Sequence, residues 1–384
     1  MNMRKIVLIR NANAYDFGGA ERFPVFLAEI LNSSGFEPVI ISKSRKLLDF
    51  ANDRGITSIR GWWWKQQNWS GIRALLFPVY ILWQLILFFW YLIIFIRIKP
   101  DIVHIQSKDD FIAATFAAKL RNSKIVWTDH ADLKHVFMNH KIWFKNPVGK
   151  LVHLASKLAD SITVVSKSEL SLVTNNLRKR DPTIKKIHVI YNGVTDTRSA
   201  YPKPHGSKHF TYCVVSRLVT DKGIGEVIEA FNKLLKKYPT SRMVIVGNGP
   251  QSEQFEKQAD GNNQISFLGY QKDPISFMAQ SDVFVQPTYH EGFSISLVEA
   301  SMMAMPIIAT AVGGNLEIIE DGQTGLLVKP RDIDSLYTAM VKLQCDDALR
   351  RLIGRRSRQQ YEDRFNFSNI VKNDFIPLYK GSKK

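Results

Sequence analysis

The sequence predicts an α/β protein built from two Rossmann-like units, and three observations carry that expectation. Short apolar runs alternate with helical patterns from one end of the chain to the other, as parallel sheets covered by helices require. The runs fall into two series of six, and a Pro- and Gly-bearing stretch, YPKPHGS at 201–207, separates them. A length of 384 residues with 45% hydrophobic and 23% charged composition suits two globular domains, each able to bury its own core.

The first series comprises residues 5–9, 38–42, 101–105, 124–128, 161–165 and 187–190, and the second 209–216, 242–247, 264–268, 282–286, 306–309 and 325–328. These place a first domain at 1–200 and a second at 207–365. Helical periodicity resumes at 366–384, after a basic run, in a segment expected to cross back to the first domain. The opening MNMRKIVLIR has an apolar run far shorter than a secretory signal needs, so it reads as a first strand in a chain that starts in the cytoplasm. Two cysteines, Cys213 and Cys345, are too few for a disulfide scaffold or a zinc site.

Net charge is +17 and uneven: residues 1–200 carry 29 Lys and Arg against 15 Asp and Glu, and the remainder 23 against 20. A basic first half suits anionic lipid or a phosphate-bearing substrate. No helix-turn-helix pattern, aromatic ribonucleoprotein motif or zinc finger accompanies it, so no nucleic-acid partner is expected. Residues 74–96 contain no charge and are flanked by Arg73 and Arg97. Their length would span a bilayer, but a single crossing would put strands of one parallel sheet on opposite sides of it. A buried covering helix remains open, as does an interfacial helix or a shallow hairpin bent near Pro78. Lys43, Arg45, Lys46, Lys65 and Arg73 favour the interfacial version, lying on an anionic membrane surface.

Chemistry concentrates in three places. Strand one leads to Gly18 and Gly19 in GGAER, where glycines let a phosphate or sugar approach amides at a helix N-terminus. The run TYCVVSRL ends in Arg217, followed by Lys222 and Gly223 before a helix; paired cations at a strand's carboxyl end would stabilise a departing diphosphate. In HEGFSISLVEASMMAMP, Glu291 and Glu299 stand eight positions apart. A helix beginning near Phe293 would aim the amides of Phe293, Ser294 and Ile295 at a diphosphate and set the two carboxylates roughly 12 Å apart, the span from ribose to transferred sugar. Gly313 and Gly314 follow.

The blocks GGAER, VVSKS, VIYNGV, SRLVTDKG, VGNGP, ISFLGY, EGFSISLVE and GQTGLLVKPRD, in that order, resemble the retaining family 4 glycosyltransferases of the GT-B fold along nearly the whole chain. The resemblance implies two Rossmann-like domains whose parallel sheets face a central cleft. It implies donor diphosphate contacts from Arg217, Lys222 and the Phe293 and Ser294 amides, with Gly18 and Gly19 closing from the other domain and Gly247 and Asn248 adding to the donor site. Glu291 would touch the donor sugar, Glu299 the ribose, and His130 in WTDHADLKH the donor sugar. Asn192 and Gly193 fit the family's NGV turn. The implied catalytic set is Glu291, His130, Arg217 and Lys222, with retention of configuration and a nucleotide sugar, UDP-linked, as co-substrate.

No metal or other cofactor is expected. Asp332 and Asp334 form a D-x-D but open a helix, where capping is the better reading. Asp129, His130, Asp132, His135 and His140 match no helical ligand spacing. With a basic first domain and an apolar segment, the expected acceptor is a lipid-linked saccharide of surface polysaccharide, lipopolysaccharide or glycolipid synthesis, met at the inner face of the plasma membrane. A nucleotide-sugar epimerase of the same fold and a non-catalytic lipid- or nucleic-acid-binding module are the alternatives.

Overall fold

A computed structural model of the chain describes residues 3–11, 19–62, 75–130, 133–142, 145–202 and 209–381. The chain divides into two compact units, Met1–Tyr191 with Ser368–Lys384, and Asn192–Phe367. The first division therefore falls before the 201–207 stretch. Its cause is local: Val194 N–H donates to Phe365 O at 3.1 Å, Phe367 N–H to Val194 O at 3.1 Å, and Arg358 pairs with Asp196, so residues 192–198 already belong to the second unit.

The sheet of the first unit is built from β1 (Arg4–Ile9), β2 (Phe36–Ser42), β3 (Thr57–Arg60), β4 (Ile102–Ile105), β5 (Lys124–Asp129), β6 (Ser161–Val164) and β7 (Ile187–Val189). All pairs are parallel, in the order β3-β2-β1-β4-β5-β6-β7. Val7 stands opposite Val39 on one side and Val103 on the other. Strands covered on both faces need continuous apolar runs, and β4 and β5 are buried at every position. β3 escaped the expected series because TSIR is a short, half-exposed edge strand with a single large apolar residue.

The second unit holds β8 (Thr211–Val215), β9 (Arg242–Val246), β10 (Ile265–Phe267), β11 (Val283–Gln286), β12 (Ile307–Thr310) and β13 (Leu326–Val328), again all parallel, in the order β10-β9-β8-β11-β12-β13. Strand order reverses at β1/β4 in one sheet and at β8/β11 in the other. The crevices outside the carboxyl ends at these switch points are where such sheets bind ligands.

Residues 77–98 form one continuous helix, Phe77–Ile98, with Pro78 in its first turn, where proline disturbs nothing. The hairpin bend near Pro78, one of the alternatives left open by the sequence, is absent among the described residues. One face, including Phe77, Tyr80, Leu87, Tyr91 and Phe95, packs into the first unit's core. The opposite face carries Val79, Leu82, Ile86, Phe89, Ile93 and Ile96, with Leu82 60% and Phe89 57% exposed. The helix thus buries one apolar stripe and exposes another. Because it leads into β4, its first turn lies toward the carboxyl edge of the sheet and its last turn toward the amino edge.

The last helical turns return to the first unit. Tyr379 OH lies 2.8 Å from His104 Nδ1, Lys124 Nζ donates to Leu378 O and Gly381 O, and Phe375 packs edge-on against Phe23. Burial holds His104 neutral, its pKa pushed down to about 3.

Candidate active site

In the second unit, two loops at the switch point are laced together. The loop after β8 carries Arg217 and Lys222, and the loop after β11 carries Glu291; β8 and β11 pair directly, with Tyr212 opposite Val283. Tyr289 N–H and Thr288 Oγ1 both donate to Asp221 O, at 2.8 and 3.1 Å. Gly223, at φ +65°, lies so close to Pro287 that a Cβ there would stand 2.0 Å from its carbonyl oxygen. The lacing delivers Lys222 Nζ to 2.6 Å from Glu291 Oε2. Gln286 Nε2, from the last residue of β11, donates to the same oxygen at 3.4 Å.

Glu291 is held from behind by the paired glycines. Gly314 N–H donates to Glu291 O at 2.9 Å. Cβ atoms at Gly313 and Gly314 would meet Glu291 O at 2.1 Å and Gly292 O at 2.2 Å, so only glycine permits this backbone approach. The VGNGP turn after β9 supports the other loop in the same way: Leu218 N–H donates to Asn248 O at 3.0 Å, and a Cβ at Gly247 would stand 1.8 Å from Ser216 O. Asn248 Oδ1 accepts from Gly249 N–H and Ser252 Oγ, turning that side chain into its own loop. The structure thus gives Gly247 and Asn248 an evident part in supporting the Arg217 loop.

The helix after this loop runs Ile295–Met302, two residues later than expected, because extended Ser294 (φ −87°, ψ 109°) acts as N-cap and its Oγ accepts Leu297 N–H at 3.3 Å. Ile295 and Ser296 occupy the first turn, where amides lack intrahelical partners. Phe293 precedes the helix and packs its ring on Phe365. Only the step from Ile295 to Glu299 is helical, contributing about 6 Å, so the purely helical 12 Å spacing of the two glutamates does not hold. Arg217 is exposed, and among the described residues it has no carboxylate partner.

In the first unit, Gly19 is the first residue of the helix Gly19–Asn32, while Gly18 lies outside the described residues, as does Asp132. His130 follows β5 and packs edge-on against Phe23 at 5.3 Å. Among the described residues neither buried ring nitrogen has a hydrogen-bond partner, and burial, then Arg10, hold the imidazole neutral, well below its ordinary pKa. Asp110, after β4, accepts from Tyr91 OH at 2.8 Å, from Asn11 Nδ2 at 2.7 Å and from Ser107 Oγ. Burial, with Asp109 beside it, raises its pKa to about 7. Asp332 caps the helix Ile333–Cys345 through Ser335 N–H at 2.9 Å, and Asp334 pairs with Lys233.

Sequence reasoning missed Gln286 and the bracing by Asp221 and Thr288. Gln286 had a signal: it is a polar residue ending the otherwise apolar run VFVQ at a carboxyl end. Asp221 had none, because it acts through its backbone carbonyl.

Residues 17–198 match the family Glycosyltransferase Family 4, and residues 197–360 the family Glycosyl transferases group 1. The capsular polysaccharide biosynthesis glycosyltransferase CapM of Staphylococcus aureus is 28% identical over 251 residues, 60% of this chain and 64% of CapM, so less than two thirds of that protein is spanned. A glycosyltransferase from Rickettsia africae superposes with a TM-score of 0.77 at 21% identity, covering 99% of this chain and 98% of that one. Anabaena HepE, solved in complex with UDP, superposes at 0.75 with 18% identity, covering 98% and 99%. With two parallel sheets of matching fold and both family matches in order along the sequence, together spanning residues 17–360, the chain belongs to the family described by these two models and has the GT-B fold.

Proposed function

We propose that this protein transfers a hexosyl group from a UDP-sugar to a lipid-linked saccharide acceptor, with retention of configuration, at the cytoplasmic face of the plasma membrane. The observation that carries the donor reading is the Lys222–Glu291 pair, 2.6 Å apart beside a Ser294-capped helix start at the β8/β11 switch point. A nucleotide sugar presents hydroxyls and phosphate oxygens side by side at the bond that breaks. Glu291 takes the sugar hydroxyls, Lys222 and Arg217 the phosphates, the helix's first-turn amides the diphosphate, and Glu299 the ribose.

As the bond from the anomeric carbon to the phosphate oxygen breaks, negative charge grows on the diphosphate. Fixed cations and amides aimed at the departing oxygens stabilise it without a metal. The acceptor oxygen bonds to the anomeric carbon, and its proton passes to a phosphate oxygen of the leaving group. UDP is favoured because HepE was solved with it, and a surface-polysaccharide product because CapM is named for one.

The membrane reading rests on the exposed stripe Val79, Leu82, Ile86, Phe89, Ile93 and Ile96 in a basic unit. Incubation with a panel of nucleotide sugars, with and without a membrane lipid extract, tests the function. The expected result is slow release of UDP from one donor, accelerated by lipid extract and unaffected by excess chelator. Release from none of the donors contradicts the donor assignment, and conversion of a donor to its epimer with no acceptor present contradicts transfer.

A further inference from the structure

The amino edge of the first unit's sheet holds a second basic feature. A cavity of about 470 Å³ opens at the first residues of β1, β4 and β5 and is lined by Arg4, Lys99, Arg121, Lys124 and Lys380, with Asp101 its sole carboxylate among the described residues. Asp101 is engaged, since its Oδ2 accepts Lys5 N–H at 2.8 Å. Lys124 Nζ is engaged with Leu378 O and Gly381 O, and Arg4 Nη1 with Tyr379 O at 3.4 Å. Lys99, Arg121 and Lys380 have no carboxylate partner among the described residues. Like charges held together this way call for an anion.

The cavity also has a fixed place relative to the apolar helix. Lys99 caps Phe77–Ile98, held in the left-handed conformation (φ 56°) with its N–H on Phe95 O at 2.9 Å. Arg121 caps the helix Ala113–Leu120, which packs against Phe77–Ile98. Ile93 and Ile96 end the exposed stripe just before Arg97 and Lys99, and exposed Leu120 precedes Arg121. Apolar side chains therefore give way to cations within one helical turn. That is the order of chemistry met on passing from acyl chains to headgroups.

We propose that this cavity seats the phosphate of an anionic phospholipid in the bilayer on which the exposed stripe lies. The inference rests on the membrane reading above and deepens it by naming the lipid class. A zwitterionic headgroup would bring its ammonium into the same group of cations, whereas a headgroup of net negative charge meets no opposing one. With the exposed stripe turned to the acyl chains, the cations that border its last turn stand at headgroup level.

Flotation of the full chain with vesicles of phosphatidylcholine alone, and of phosphatidylcholine mixed with phosphatidylglycerol, tests it. The expected result is flotation with both, stronger with the mixed vesicles. K99E/R121E reduces partitioning into the mixed vesicles on the order of tenfold or more while leaving flotation with neutral vesicles unchanged. K236E/K257E, with the same charge change on exposed lysines of the second unit, keeps the preference. Unchanged preference in K99E/R121E, equal wild-type flotation with both vesicles, or equal loss in K236E/K257E overturns the headgroup site alone. No flotation with either vesicle type overturns the membrane reading and this inference together. An unchanged cooperative thermal melt of K99E/R121E verifies that the variant is folded.

Discussion

Lys222 Nζ lies 2.6 Å from Glu291 Oε2, joining the cation that ends the β8 loop to the carboxylate that follows β11. The pair is only partly exposed, and Gln286 Nε2 reaches the same carboxylate oxygen. It therefore couples the phosphate-facing and sugar-facing halves of the proposed donor site.

Lys222→Ala and Glu291→Ala are each expected to lower kcat/KM for the productive donor on the order of 10²–10³-fold, the range for removing one preorganised charge-stabilising group. Because the two groups touch, the double variant should lose far less than the product of the single losses. Steady-state kinetics on the four forms checks this.

Gly313→Ala places a Cβ 2.1 Å from Glu291 O at a residue with φ +44°. It should displace Glu291, reducing activity on the order of tenfold or more, with about 1–3 kcal/mol lost from stability. Gly322→Ala, at φ +71° but facing open space, carries the backbone strain alone and should leave activity intact. Thermal melts and donor turnover of the two variants separate the effects.

Asp110 makes stability fall with rising pH. Its folded pKa of about 7 lies above the ordinary carboxyl value of 3.8, so the folded state binds more protons than the unfolded state between those values, and stability is lost as pH rises through that window. Asp110→Asn should flatten this part of the profile relative to wild type. Urea unfolding at a series of pH values reads the difference directly.

Asp332→Ala removes the N-cap of Ile333–Cys345 and should cost about 1 kcal/mol of stability while leaving activity in excess chelator equal to wild type. A loss of activity in chelator alone would give Asp332 and Asp334 a metal-binding role. Activity assays with and without chelator, beside thermal melts, check both parts.

Much of this architecture was legible because buried parallel strands leave an unmistakable trace: runs such as KIVWTD in β5 and VFVQ in β11 must be apolar on both faces. The edge strand β3 left none, since TSIR needs no second buried face. Arg217, Lys222 and Glu291 were readable as charged residues just past strand ends. The helix starts two residues after Phe293 because Ser294, in extended backbone, caps it through Leu297 N–H, a choice of backbone conformation that the residue types alone do not fix. Proline and glycine at 201–207 mark a turn, while the contacts of Val194 and Asp196 with residues 358–367 show that the chain has already joined the second unit. The roles of Gly313 and Gly314 lay in a backbone approach from a distant loop, which no local pattern encodes.

Calorimetric titration of UDP into wild type, Arg217→Ala and Lys222→Ala, all in excess chelator, addresses the donor site most directly. The expected result is saturable one-to-one binding to the wild type and at least about tenfold weaker binding to each variant, as loss of a charge-assisted contact implies. Equal affinity in all three proteins, or binding that appears only when a divalent cation is restored, would contradict a donor site built from these loops alone.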